Sequence, residues 1–88
     1  MNKEFNTIAK IQEDATIINR GAAYLHACDQ FEAQASQYAN NSNWLCRKYA
    51  EEVSICYNKV KNCNCEYTAY ANAHAAEVWL SKACDSAD

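Results

Sequence analysis

The chain predicts an all-α fold, a small antiparallel helical bundle, on three observations. Sixteen alanines, no proline and a single glycine, Gly21, in 88 residues favour helix nearly throughout, while Val, Ile and Thr are sparse. Apolar residues recur at steps of three and four, the period of a one-faced helix. Four of the six cysteines are mirrored across two polar breaks: Cys28 and Cys56 each stand fourteen residues from Ser42, Cys46 and Cys84 each nineteen from Cys65. If those breaks are turns between antiparallel helices, equal residue counts at about 1.5 Å each bring each pair to one level.

The elements follow in order. Phe5, Ile8, Ile11, Ala15 and Ile18 mark a first helix closing near Asn19-Arg20-Gly21, where glycine suits the left-handed position after a helix. Ala22, Leu25, Cys28, Phe31, Ala35 and Tyr38 carry a second to the Asn40-Asn41-Ser42-Asn43 cluster. Ser42 or Asn43 caps a third, whose seam of Cys46, Tyr49, Val53, Cys56, Val60 and Cys63 is the cleanest in the chain. A fourth starts with Asn64 as cap and Glu66 in the first turn, where its charge suits the helix dipole, and runs to about Ala83. These are four helices of about 16–21 residues in one domain spanning 1–88. If Gly21 and Cys63-Asn64-Cys65 only kink the chain, the alternative is a long helical hairpin, with residues 43–85 continuous. The cysteine mirror favours the bundle, because an unbroken helix holds Cys46 and Cys84 about 57 Å apart.

The fourth helix is apolar around most of its circumference. His74, Glu77, Ser81 and Asp85 form one narrow polar stripe, expected to be a solvated surface, and alanines with Val78, Trp79 and Leu80 cover much of the rest. Such a helix is usually buried on more than one side. Ala71, Ala75, Val78 and Trp79 are therefore the expected intermolecular contact, with a protein partner or within a homo-oligomer.

Several function classes lose support. The net charge of −3 is spread along the chain, and Glu51 and Glu52 lie one turn beyond Arg47 and Lys48, which argues against nucleic-acid binding. No apolar run reaches the length of a membrane span or a signal peptide. The chain thus reads as a complete cytoplasmic protein with its own start Met, although six cysteines would also suit a secreted, disulfide-bonded domain. One glycine cannot build a phosphate-cradling loop, and His26 and His74 stand near no nucleophile motif, so no enzyme and no cofactor are expected.

Cys63-Asn64-Cys65 on a turn can chelate a soft ion, but two thiolates do not complete a structural zinc site, and no structural metal is expected. His26 with Asp29 and His74 with Glu77 have the reverse order of the Glu-x-x-His pairs of di-iron bundles. Cys46 and Cys56 share the spacing of helical-hairpin proteins of the mitochondrial intermembrane space, yet no cysteine lies ten residues before Cys84 to form the second pair. Cys28 with Cys56 and Cys46 with Cys84 remain the candidate structural or disulfide pairs.

The sequence thus points to a non-enzymatic interaction protein acting by occupying a macromolecular partner, as an adaptor or inhibitor. Phage-type inhibitors of host defence share this profile as a class analogy, without a motif. One alternative is a thiol-based metal or redox protein using Cys63 and Cys65. Another is an oligomer that sequesters a small ligand in clefts lined by Arg20, Arg47, Lys48 and Tyr49.

Overall fold

The structure, a computed structural model, describes residues 6–88 and is all-α. Its helices are α1 (Thr7–Glu13), α2 (Arg20–Ala35), α3 (Trp44–Asn62) and α4 (Glu66–Ser86), with one 3-10 turn at Ser36–Tyr38. The helical hairpin is set aside, because the chain leaves helix at 14–19, 39–43 and 63–65.

Each break has a local cause. At the first, the Asp14 carboxylate accepts from the Thr16 amide at 2.9 Å and the Thr16 hydroxyl at 2.7 Å, closing a side-chain turn that competes with the helix. The Arg20 guanidinium then donates to the carbonyls of Ile11 and Asp14. The first helix consequently ends at Glu13, short of the expected Ile18, which is 98% exposed. Phe5 lies outside the described residues. Gly21 does not end a helix but sits in the first turn of α2, with no positive φ. Asn19 opens that helix instead, its side chain accepting from the Ala22 amide. Asn43 caps α3 as expected, accepting from the Leu45 amide at 3.0 Å. At the last break Cys65, not Asn64, takes the cap position of α4, and Glu66 falls in the first turn.

The cysteine mirror gives the right α3–α4 register. The Cys46 thiol donates to the carbonyl of Ala83, the residue before Cys84, at 3.1 Å. One helical turn further along, Tyr49 stacks on Trp79 with ring centroids 5.6 Å apart. Helices α3 and α4 pack most extensively, α2 lies in the groove they form, and α1 packs on α2 and α4. The thin dimension of the molecule is 16 Å between Cα atoms, about what two layers of helices give. The core consists of Ile8, Tyr24, Cys28, Phe31, Val53, Cys56, Val60 and Leu80, set among alanines of α2, α3 and α4. Among the described residues, no helix is long and apolar enough to cross a membrane.

Candidate functional site

Small side chains let α4 touch every other helix. Ala69, Ala73, Ala76 and Ala83 are buried on the side facing α2 and α3. The neighbouring side meets α1, and there the expected solvated stripe divides. His74 and Asp85 are exposed, but Glu77 is 2% exposed. Its carboxylate accepts from the amides of Thr7 at 2.7 Å and Ile8 at 3.4 Å, the first two residues of α1. A negative group at a helix N-terminus satisfies free N–H groups and complements the dipole, which is why a carboxylate tolerates burial here. The stripe periodicity on α4 gave no sign of this, because the partner is backbone seventy residues away.

A third side of α4 faces away from α1 and α2. Ala71 and Val78 are exposed there, and Ala75 and Trp79 are half-buried. Trp79 rests against Tyr49 of α3, and the Lys82 ammonium stands 5.7 Å from the Trp79 ring and 5.9 Å from that of Tyr49. Leu45, one turn before Tyr49, is 40% exposed, and Val78 is 39% exposed. The α3–α4 pair therefore has two grooves. One holds α2, to which Ser54 donates through Glu32 and Tyr57 through Asp29. The other is floored by the Tyr49–Trp79 stack and, among the described residues, carries no helix.

The contact expected at Ala71, Ala75, Val78 and Trp79 thus adjoins Leu45 and Tyr49 of α3, of which the sequence reading named Tyr49 only as a seam and cleft residue and did not name Leu45. Tyr49 was assigned to the seam by its spacing. Leu45 precedes that seam by one residue and reads as an isolated apolar position.

The six cysteines are free thiols at different depths. Cys28, Cys46 and Cys56 are buried, Cys63 and Cys84 partly so, and Cys65 is exposed. Burial, aided by the nearby Cys56, pushes the Cys28 thiol up to about 12. Burial also raises Cys46, with the nearby Asp88 and then Cys84 adding to the effect. Tyr38 is likewise pushed up to about 12, chiefly by the neighbouring Cys84 thiol and then by partial burial. Cys65 moves the other way. The Thr68 amide, then the Tyr67 amide and the Thr68 hydroxyl, hold its thiol below the usual range.

Within one chain, the basic and aromatic residues expected in clefts between protomers lie at separate places. Arg47 and Lys48 border a groove of about 590 Å³ between α2 and α3 together with Trp44, Glu32 and Glu51. Lys48 pairs with Glu51 and Glu52, as the charge pattern suggested, whereas Arg47 donates to the carbonyls of Asn41 and Ser42. Arg20 borders a separate pocket with Tyr24, Tyr67 and Tyr70. Tyr49 lies on the uncovered α3–α4 groove. The two His–carboxylate pairs also dissolve: His26 bonds Gln30, Asp29 accepts from Tyr57, and His74 stacks on Tyr70. Among the described residues, no three His, Cys, Asp or Glu side chains converge as a metal site. Compared with protein-family models, curated proteins and solved structures, the chain matches none.

Proposed function

We propose that this chain is a non-enzymatic helical interaction protein that acts by occupying a protein partner through the uncovered α3–α4 groove. The observation that supports this is the Tyr49–Trp79 stack, flanked by exposed Leu45 and Val78 and topped by Lys82. Aromatic anchors with an apolar border and a cation match the composition of protein interfaces, where a few such residues supply most of the binding energy. A partner helix suits the groove, since α2 already fills the equivalent groove on the opposite side. An acidic side chain at one end of that helix would meet Lys82.

The test substitutes the border and spares the stack. Trp79→Glu would destroy a packed aromatic pair, so its failure would confuse folding with binding. Val78→Glu places a carboxylate on an exposed position instead. The intact protein and this variant are compared for self-association by sedimentation and for retention of partners from cells, with helicity followed by circular dichroism. Loss of association or of a retained protein, with helicity unchanged, supports the groove. Equal association and an identical set of retained proteins would overturn it.

A further inference from the structure

The connection between α3 and α4 is only three residues long, Cys63, Asn64 and Cys65, and it is not helical. Cys63 has φ −89° and ψ 154°, and Cys65 has φ −125° and ψ 129°. On an extended segment, side chains two residues apart project to one side, whereas on a helix they diverge. Cys63 and Cys65 both line a single cavity of about 320 Å³, whose other walls include Leu25, Val60 and Ala69. The remaining cysteines are engaged elsewhere. Cys28 and Cys56 are buried in the core, Cys46 donates to Ala83, and Cys84 lies in the last turn of α4.

We propose that Cys63 and Cys65 form a two-thiolate site for a soft monovalent metal ion of the Cu(I) class. Coordination number selects the ion. Zinc and iron–sulfur clusters require four protein ligands in closed sites, and no third His, Cys, Asp or Glu side chain joins these two among the described residues. Cu(I) is thiophilic and is satisfied by two thiolates. Its binding displaces two thiol protons with no change in oxidation state. Cys63 must give up the hydrogen bond that its thiol donates to the Val60 carbonyl at 3.1 Å, so it is the second ligand to engage. The site is independent of the groove assigned to partner binding, and either can fail alone.

The experiment titrates the full reduced chain, without oxygen, into Cu(I) held by the coloured chelator bicinchoninate. The intact protein should withdraw about one Cu(I) per chain and bleach the chelate, as expected for a bis-thiolate site. Cys63→Ser and Cys65→Ser should each weaken competition about 100-fold or more, since even outer-sphere changes at metal sites cost about 10–100-fold. Both positions lie outside the helices, and unchanged circular dichroism will show that each variant is folded. Cys84→Ser should withdraw copper like the intact chain. The proposal is overturned if the intact protein leaves the chelate coloured, if either single variant competes as well as the intact protein, or if Cys84→Ser loses the copper.

Discussion

Replacing Glu77 should detach α1 before it unfolds the rest of the molecule. The carboxylate is buried on α4 and accepts from Thr7 and Ile8, so its loss leaves two amides at the α1 N-terminus without that partner. A hydrogen bond to a charged group contributes about 1.5–3 kcal/mol, and loss of an N-terminal cap typically costs about 1 kcal/mol. Helix α1 has seven residues, well below the length at which an isolated helix persists in water. It therefore depends on this contact and on burial of Ile8. Glu77→Ala should cost about 2–3 kcal/mol, combining the lost acceptor with a cavity. Glu77→Met restores volume without the acceptor and should cost about 1.5–2 kcal/mol, whereas Glu77→Gln keeps an acceptor oxygen and should cost about 1 kcal/mol. Amide hydrogen exchange reads the effect locally. In Glu77→Met the α1 amides should exchange about 10–30-fold faster, at one decade per 1.4 kcal/mol, with the α3 amides changed less. Exchange in α1 equal to that of the intact protein in Glu77→Met would refute the assignment, as would Glu77→Gln being as costly as Glu77→Ala.

The other predictions concern the thiols. Because the folded protein raises the Cys28 pKa above its value in the unfolded chain, the resulting stability is present below the ordinary thiol range and is lost as pH rises toward about 12. Urea titrations at increasing alkaline pH should show this decline, and Cys28→Ala should make it shallower; an unchanged slope would contradict the assignment. Diamide oxidation should join Cys46 to Cys84 first, because Cys84 is only partly buried, and Cys28 to Cys56 more slowly; peptide mapping that found other pairs first would refute the pairing. Alkylation of the folded, reduced protein should modify Cys65 ahead of the other five thiols, with the midpoint of its pH–rate curve below the ordinary thiol range.

The parts of the fold legible in the sequence were those set by chain-local spacing. The α3 seam, the Asn43 cap and the Cys46 level on α4 all follow from periodicity and residue counts, which antiparallel packing preserves. The end of α1 was not legible in that way. Ala15 and Ile18 keep the helical period, but the Asp14–Thr16 turn and the Arg20 bonds stop the helix at Glu13. The role of Glu77 was also hidden, since a carboxylate on a polar stripe looks the same whether it faces water or the N-terminus of a distant helix. For the candidate groove, the α4 half was legible because Val78 and Trp79 break an alanine pattern. The α3 half required the register, which places Tyr49 opposite Trp79.

That register also narrows what the apolar character of α4 implies. A helix apolar on nearly every side invites the inference of an oligomer, yet three neighbours within the chain account for most of this one. Ala69, Ala73, Ala76 and Ala83 are buried because α2 and α3 approach closely, and a methyl group is all that the spacing admits. Glu77 is consumed by α1. The strip from Ala71 and Ala75 to Val78 and Trp79 stays exposed or half-buried among the described residues, with Trp79 held against Tyr49 of α3. Small residues make that strip shallow at Ala71 and Ala75, so a second helix can approach its backbone there, while Trp79, Tyr49 and Leu45 supply the large apolar contacts at the other end. Under the proposed partner binding, shape at one end and aromatic surface at the other would define an orientation for an incoming helix, a condition for selecting a partner that scattered exposed apolar residues such as Ile18 do not meet.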